Sequence, residues 1–262
     1  MNILSAIQFR PRLAACAADV QDNFRKCEGL IHRAAVMGSS LVVFPELALT
    51  GYSFLNREEA CRVCERRDGP TYRAMAGVAS DLKAYVAWGY VEADSDGTLY
   101  NSASLVAPDG RIVSRSRKMN LWGNDFLWAT PGRDLPAVAE TEMGSISVAV
   151  CRDLRDKVPQ NVPRVASRDA GIFGGRPVDV VAACTAWGKG GFPSTTWMDF
   201  AANNSCTLVI SNRWGEERNG SFVQDFGHGG SAIVSNDWTV HTGGLEFGED
   251  CVVSAPYESP AQ

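Results

Sequence analysis

Short apolar runs alternate along the chain with longer segments in which an apolar residue recurs every three or four positions. A run such as Leu41-Val42-Val43-Phe44 predicts a strand that is covered on both faces. The spacing of Phe24, Cys27, Ile31 and Ala34 predicts a helix with one apolar face. The same patterns predict strands at 3–9, 41–44, 85–92, 100–106, 111–116, 146–150, 178–183, 207–211, 230–234 and 238–241, and helices at 19–37, 70–83 and 194–204.

Turn residues and the order of the elements indicate the fold class. Pro108-Asp109-Gly110 and Asn236-Asp237 each separate two predicted strands and therefore predict β-hairpins. Strands that alternate with helices, with hairpins inserted, are typical of a mixed sheet with helices on its faces. No repeat, charge block or Pro/Gly-rich linker divides the sequence. We therefore expect 1–262 to form one α/β domain.

Composition narrows the classes of function. The net charge of -5 argues against a nucleic-acid-binding surface, which is usually basic. No apolar run reaches about 18 residues, so we expect no membrane span. The first residues lack the basic flank of a signal peptide and predict a strand, so we expect a cytoplasmic protein with free thiols. The three histidines, His32, His228 and His241, are far apart, and we predict neither a metal nor a cofactor.

Three predicted strands end in residues that could carry chemistry. Glu46 follows the run that ends at Phe44, Lys118 follows the 111–116 strand, and Cys151 follows Val150. Strand ends in α/β folds are where sites assemble, and a thiol nucleophile, a carboxylate base and a stabilising ammonium form a complete set. The residues alone leave another interpretation open, in which the thiol is buried for packing and the lysine lies on a solvated edge.

These residues lie in segments that resemble the nitrilase, or carbon–nitrogen hydrolase, superfamily. The segments are Phe44-Pro45-Glu46-Leu47-Ala48-Leu49-Thr50-Gly51-Tyr52, Arg117-Lys118-Met119-Asn120-Leu121-Trp122-Gly123 and Cys151-Arg152-Asp153-Leu154-Arg155, with weaker matches at 212–217 and 229–233. Their order and spacing fit the family along essentially the whole chain. The resemblance implies a four-layer αββα sandwich that forms a homodimer or a higher homo-oligomer.

The resemblance also implies roles for particular residues. Glu46 would be the general base, Lys118 the stabilising cation and Cys151 the nucleophile, and Arg152 would supply a backbone N–H to the oxyanion. Asp125 matches an acidic position that is usually glutamate in the family. The resemblance further implies that Trp187 borders the substrate, while two interpretations stay open for Tyr52, which either lines the pocket or packs in the core.

Other positions of the same motifs carry further expectations. Asp153 and Arg155 would form an ion pair that orients the turn of the nucleophile. The chain departs from the family at Asn120 and Ala186, where histidine and asparagine are common, and in a segment before Asp179 that is about ten residues longer than usual. We expect the apolar part of that segment, 171–175, to form the rim of the pocket.

The leading functional hypothesis is thiol-dependent hydrolysis of a small linear amide without a cofactor. Nitrile hydrolysis, N-carbamoyl hydrolysis and acyl transfer would use the same site and remain open. A scaffold or binding protein with a disabled site is the alternative of another class. A third alternative is a redox or metal module built on Cys61-Arg62-Val63-Cys64, although we expect these thiols to be surface or structural groups and Cys184 and Cys206 to be packing residues.

Overall fold

A computed structural model describes residues 1–155, 157–159, 171–188, 194–242 and 248–259. Within this part of the chain the helices are α1 (Ala17–Val36), α2 (Arg57–Cys61), α3 (Pro70–Leu82) and α4 (Thr195–Asn203). The strands are β1 (Asn2–Gln8), β2 (Leu41–Val43), β3 (Tyr85–Ala93), β4 (Leu99–Val106), β5 (Ile112–Arg117), β6 (Ala139–Thr141), β7 (Gly144–Val150), β8 (Val180–Cys184), β9 (Thr207–Ser211), β10 (Glu216–Asn219), β11 (Phe222–Asp225), β12 (Ala232–Val234), β13 (Val240–Thr242) and β14 (Cys251–Tyr257). Two 3-10 helices span Gly123–Leu127 and Cys151–Arg155.

Twelve of these strands form two mixed six-stranded sheets. The first has the order β14-β1-β2-β3-β4-β5 and the second the order β13-β12-β9-β8-β7-β6, while β10 and β11 form a separate hairpin. The pairs β1–β2 and β2–β3 are parallel in the first sheet, as are β7–β8 and β8–β9 in the second. The parallel strands are almost wholly buried, which is why their sequences are continuous apolar runs.

The sheets pack face to face between layers of helices. Side chains of both sheets, among them Leu41, Ala87, Val148 and Ala182, form one buried cluster between them. A second cluster joins α1 and α3 to the outer face of the first sheet, and a third joins α4 to the outer face of the second. These contacts define an αββα sandwich, so the expected fold is confirmed.

Element boundaries differ from the sequence prediction where local hydrogen bonds decide them. Helix α1 begins at Ala17 rather than at 19, because the Asp19 carboxylate reaches back and accepts hydrogen bonds from the backbone N–H groups of Ala15 and Cys16 at 2.8 and 3.1 Å. The hairpins β4–β5 and β12–β13 form as predicted. The prediction missed β6, β10, β11 and β14. Strand β14 pairs along the whole length of β1, and a partner so distant in sequence leaves no local signal.

The strand directions bring several carboxyl ends to one edge of the sandwich. Strand β5 runs in the same direction as β2 and β3, because each of two successive antiparallel pairings reverses the chain once. At this edge the backbone N–H of Glu46, beyond β2, donates to the carbonyl of Thr185, beyond β8, at 3.3 Å. The two sheets are therefore joined where their strands end. None of the helices in the described ranges is long and apolar enough to cross a membrane.

Candidate active site

The three strand ends singled out by the sequence meet at this edge. Glu46 lies three residues beyond β2, Lys118 directly follows β5, and Cys151 directly follows β7. Glu46 and Lys118 are fully enclosed, and Cys151 is 7% exposed. The geometry thus places a thiol, a carboxylate and an ammonium in one cluster, as the strand-end pattern predicted.

Four buried side chains form what we call the buried network: Glu46, Asn101, Lys118 and Asp125. The Lys118 Nζ atom donates to Glu46 Oε1 at 2.7 Å and to Asp125 Oδ2 at 2.6 Å. The Asn101 amide donates to Glu46 Oε1 at 2.7 Å and to Asp125 Oδ1 at 3.0 Å. Burial lowers the pKa of Lys118, but the carboxylates of Asp125 and Glu46 outweigh burial and hold that pKa well above its usual value. The lysine is therefore an ammonium ion at any working pH.

Asp125 enters this network from the 3-10 helix Gly123–Leu127. Its Oδ2 atom also accepts a hydrogen bond from the backbone N–H of Trp122 at 3.0 Å. The aspartate, although one methylene shorter than the glutamate expected from the resemblance, reaches the lysine, because the 3-10 turn brings its backbone close to the site. Asp125 thus lies beside Lys118, and its role as the fourth acidic position stays a prediction.

The backbone around Glu46 is held by a second buried ion pair. Arg213 Nη2 donates to the carbonyl oxygens of Glu46 and Leu47 at 2.9 and 3.0 Å, and Arg213 Nη1 lies 3.0 Å from Glu217 Oε2. Leu47 has a φ of 49°, a left-handed conformation that is uncommon for a residue with a side chain. Behind it, a Cβ atom at Gly89 would lie 2.5 Å from the Leu47 nitrogen and 2.7 Å from the Glu46 Cα. The turn that carries Glu46 therefore needs both the arginine and this glycine.

Cys151 occupies a strained turn at the start of a 3-10 helix. Its φ of 45° is again left-handed. Burial and the nearby Glu46 carboxylate raise the pKa of the thiol well above its usual value, against the opposing effects of Lys118 and of the Ala186 N–H. Among the described residues, the Glu46 Oε2 atom has no hydrogen-bond partner of normal geometry. One carboxylate oxygen thus faces the network, and the other has no hydrogen-bond donor among the described residues.

Asp153 connects the turn of the nucleophile to the segment that follows Lys118. It is buried and accepts hydrogen bonds from the backbone N–H groups of Met119 and Asn120 at 3.2 and 2.8 Å and from the Asn120 amide at 3.0 Å. Burial raises its pKa to about 6. The expected ion pair with Arg155 is wrong, because the carboxylate faces inward to these donors while Arg155 is exposed on the outside.

A cavity of about 290 Å³ opens at Cys151. Its described lining consists of Trp122, Cys151, Arg152, Arg155, Ala186, Trp187, Gly188, Gln224 and Asp225. We call Trp122, Arg152, Arg155 and Trp187 the cavity rim.

Asn212 fixes the part of the rim that Trp187 forms. The Asn212 side chain accepts from the Trp187 N–H at 2.7 Å and donates to the Trp187 carbonyl at 3.2 Å. The indole of Trp187 packs edge to face against Trp197, with ring centroids 5.6 Å apart. Trp187 therefore borders the cavity that contains Cys151, in agreement with its predicted position.

The structure differs from two sequence expectations about the residues that line the pocket. Tyr52 is buried beneath the site, where its ring lies 5.8 Å from Lys118 Nζ and its hydroxyl donates to the Trp122 carbonyl at 2.8 Å. It supports the rim instead of lining the cavity, so direct contact with substrate stays a prediction. The expectation that 171–175 forms the rim is wrong, because Ile172 and Phe173 are buried against α4. Residues 156 and 160–170 of the longer segment lie outside the described ranges.

Sequence reasoning missed Asn101, Arg213 and Asn212 as parts of the site. Asn101 lies near the start of β4, an antiparallel strand, and no motif distinguishes it. Its backbone carbonyl accepts from the Lys118 N–H at 2.8 Å, so Asn101 is recognisable as the neighbour of the lysine only once the register of β4 against β5 is known. Arg213 and Asn212 fall in the weakly matching segment that follows β9.

The CxxC pair lies elsewhere. Cys61 is exposed, Cys64 is half-buried, and their sulfur atoms are 3.9 Å apart at the end of α2. Cys64 borders a second cavity of about 380 Å³ between α1 and the segment before α3, which does not include Cys151. Cys184 and Cys206 lie in the hydrophobic clusters and are packing residues as predicted.

Comparison with known proteins agrees with the fold and with the motifs. The sequence profile of the family described as Carbon-nitrogen hydrolase matches residues 3–255. The chain therefore belongs to the carbon-nitrogen hydrolase family, and the resemblance seen in the sequence is confirmed.

Three similar proteins indicate the range of this family. A protein named Nitrilase from Pyrococcus abyssi is 29% identical over 218 residues, which cover 83% of this chain and 77% of that protein. A Protein N-terminal amidase from Schizosaccharomyces pombe is 32% identical over 159 residues, 56% of this chain and 54% of that protein. A solved mutant of the amidase from Nesterenkonia sp. AN1, with acrylamide added at its active-site cysteine, has a TM-score of 0.76 at 19% identity and covers 98% of this chain and 94% of that one.

Proposed function

We propose that this protein is a cysteine-dependent amidase that hydrolyses small linear amides through a thioester on Cys151. The observation that carries the proposal is the buried network beside Cys151, in which one ammonium holds two carboxylates and one oxygen of Glu46 stays free. Structural roles do not require charged groups in a fully enclosed position, where desolvation is costly. Catalytic roles do, because fixed charges stabilise a transition state more strongly away from water.

The first half-reaction forms the thioester. Because the thiol has a raised pKa, it is protonated at rest, and Glu46 Oε2 takes its proton as the sulfur attacks the amide carbon. The C=O electrons move to oxygen, which the remaining N–H of Lys118 and the backbone N–H of Arg152 stabilise. The C–N bond then breaks as Glu46 returns the proton to nitrogen, so ammonia or an amine leaves.

The second half-reaction hydrolyses the thioester. Glu46, again a carboxylate, takes a proton from water as the water oxygen attacks the thioester carbon. The same donors hold the oxyanion, and the C–S bond breaks as the thiolate regains its proton. Asp125 keeps Lys118 in position through both steps, since its Oδ2 lies 2.6 Å from Nζ. No cofactor is needed, because both steps are acyl transfers driven by acid–base groups.

The amide substrate is supported by the solved structure of a mutant of the Nesterenkonia amidase in complex with the linear amide butyramide. A nitrile is the second candidate substrate, favoured by the match to a protein named Nitrilase that covers most of the chain. The same thiol would attack a nitrile carbon, so only the substrate distinguishes the two activities.

The proposal is tested by ammonia release from a panel of short amides, nitriles and N-carbamoyl compounds. We expect turnover of amides by the unaltered protein and none by Cys151→Ala. Cys27→Ala, a buried thiol of α1 on the far side of the first sheet, is the matched control and should keep full activity. Glu46→Gln should lower kcat by about 10² to 10⁴. Equal activity of Cys151→Ala and Cys27→Ala would refute the proposal.

A further inference from the structure

Cys61 and Cys64, the cysteines of the CxxC motif, lie close together, and the proposed function gives them no role. The Cys64 side chain points at Cys61: the two sulfur atoms are 3.9 Å apart, and the Cys64 thiol donates to the Cys61 carbonyl at 3.1 Å. A disulfide bond is about 2.05 Å long, so the two sulfur atoms need to approach by only about 2 Å to form one.

The backbone on both sides of the motif holds the two cysteines in this arrangement. Helix α2 ends at Cys61, and the chain turns there because the Val63 N–H donates to the Ala60 carbonyl at 3.2 Å. Ala60 and Val63 are both buried. After the motif, the Glu65 N–H donates to the carbonyl of Val91 in β3 at 3.0 Å. The fold therefore keeps the two sulfur atoms within reach of each other.

The two thiols differ in their access to solvent. Cys61 is exposed, whereas Cys64 is half-buried and borders the cavity of about 380 Å³ between α1 and the segment before α3. Burial and the neighbouring Cys61 raise the pKa of Cys64 to about 11, although the positive charge of Arg57 acts in the opposite direction. Because the thiolate is the attacking form of a cysteine, Cys64 reacts slowly with reagents in solution. Cys61 is therefore the thiol that meets such a reagent first, with Cys64 as the second thiol beside it.

We infer that Cys61 and Cys64 are a redox site that a small disulfide oxidant, such as glutathione disulfide, converts reversibly into an intramolecular disulfide. The Cys61 sulfur attacks one sulfur of the oxidant, whose S–S bond breaks, and the first glutathione leaves with the Cys61 proton. The Cys64 sulfur then attacks the Cys61 sulfur, and the second glutathione leaves with the Cys64 proton. Two electrons and two protons thus pass from the protein to the oxidant.

Zinc is the other partner that a pair of thiols suggests. A structural zinc site takes four ligands. Within the described ranges, no group of three or more histidine, cysteine, aspartate or glutamate side chains is placed to hold a metal ion. The contact between the two sulfur atoms therefore favours the disulfide over a metal site.

Tryptic peptide mapping tests the inference, because a cleavage site separates the two cysteines. Trypsin cleaves after Arg57, Arg62 and Arg66, so Cys61 and Cys64 fall in the peptides 58–62 and 63–66. The protein is equilibrated with glutathione disulfide and glutathione at increasing ratios, quenched with acid, alkylated and digested. We expect the two peptides to be joined by a disulfide as the ratio rises, and to separate again after treatment with dithiothreitol.

Three cysteines provide the matched variants and the control. Cys16 is exposed, and we expect it to form only a mixed disulfide with glutathione. Cys64→Ser removes the second thiol and should leave the same mixed disulfide on Cys61. Cys61→Ser, a change at an exposed position, should slow the oxidation of Cys64 at least about tenfold, since the accessible thiol is lost. Neither variant should alter ammonia release.

Two outcomes of the mapping would overturn the inference: peptides that stay unlinked at every glutathione ratio, or a mixed disulfide on Cys61 that persists in the unaltered protein. Zinc bound tightly enough to block alkylation of both thiols would overturn it as well, because the pair would then belong to a metal site. Ammonia release depends on Cys151 and is measured separately. A failed redox test therefore leaves the proposed function standing, and an inactive protein that links the two peptides leaves the redox site standing.

Discussion

The buried network and the cavity rim differ in whether their charged side chains have oppositely charged partners. In the network, each of the three charged side chains has an oppositely charged partner within 2.7 Å, and Asn101 adds hydrogen bonds to both carboxylates. At the rim, both arginines lack partners among the described residues. The charges of the network are thus paired within the protein itself, whereas those of the two rim arginines are not paired with any described residue. Changes in the network should therefore affect every substrate, and changes at the rim should affect the choice among substrates.

The largest effect is expected from a substitution that removes Lys118, the one cation of the buried network. Lys118→Met leaves the carboxylates of Glu46 and Asp125 buried without their counter-ion, so we expect a loss of about 3–5 kcal/mol in the free energy of unfolding. Activity should fall by about 10³ or more on all amides alike, since an oxyanion donor is also lost. Urea unfolding and ammonia release measure the two effects. A variant that lost activity on some amides and kept it on others would contradict this assignment.

Asp153 gives a prediction that depends on pH. Its folded-state pKa is raised from 3.8 to about 6 by burial, so the folded protein binds a proton more tightly than the unfolded chain does. The stability that this group contributes is fully present below about pH 4 and is lost as the pH rises through about 6. Asp153→Asn lacks this titration. The stability advantage of the unaltered protein over the variant should therefore shrink by about 3 kcal/mol between pH 4 and pH 7, as measured by urea unfolding at each pH.

An advantage that stays constant across this range would mean that Asp153 has an ordinary pKa and that its burial is offset by its three N–H donors. Asp153 would still connect the nucleophile to the lysine segment, but it would no longer carry an energetic cost at neutral pH.

Asn101 contributes hydrogen bonds but no charge to the network, so its substitution should have the smallest effect. Asn101→Ala removes two hydrogen bonds to carboxylates, and we expect a stability loss of about 2 kcal/mol and a kcat that falls roughly tenfold to a hundredfold as the carboxylates lose their alignment. Asn101→Asp keeps the shape but adds a third buried carboxylate to one ammonium, so it should be the more damaging change. If Asn101→Asp were the milder variant, the charge balance assigned to the network would be wrong.

The sequence predicted the parts of the molecule that depend on local pattern. Strand ends led to Glu46, Lys118 and Cys151 because apolar runs are visible without any partner, and motif resemblance added Asp125 and Trp187. The direction in which these strands run, which brings their ends together, follows from pairings that no single segment contains.

Asn101 shows why the remainder of the site could not be predicted. Counting outward from the turn at Pro108-Asp109-Gly110 would place Arg117 opposite Asn101. A register shift between Leu105 and Val106 moves the pairing by one residue, and Lys118 becomes the neighbour of Asn101. A bulge of this kind has no sequence signature that distinguishes it from regular pairing. The Asp153–Arg155 ion pair failed for a related reason, since residue spacing does not tell which way a side chain faces in a 3-10 turn.

We propose that Cys151 carries the acyl group between the two half-reactions. Rapid acid quenching during turnover of a short amide, followed by peptide mass mapping, tests it directly. We predict the mass of the acyl group on the peptide that contains Cys151, its release by hydroxylamine and its absence from Cys151→Ala. An acyl group on another residue, or ammonia release during which Cys151 stays unmodified at every quench time, would contradict the account.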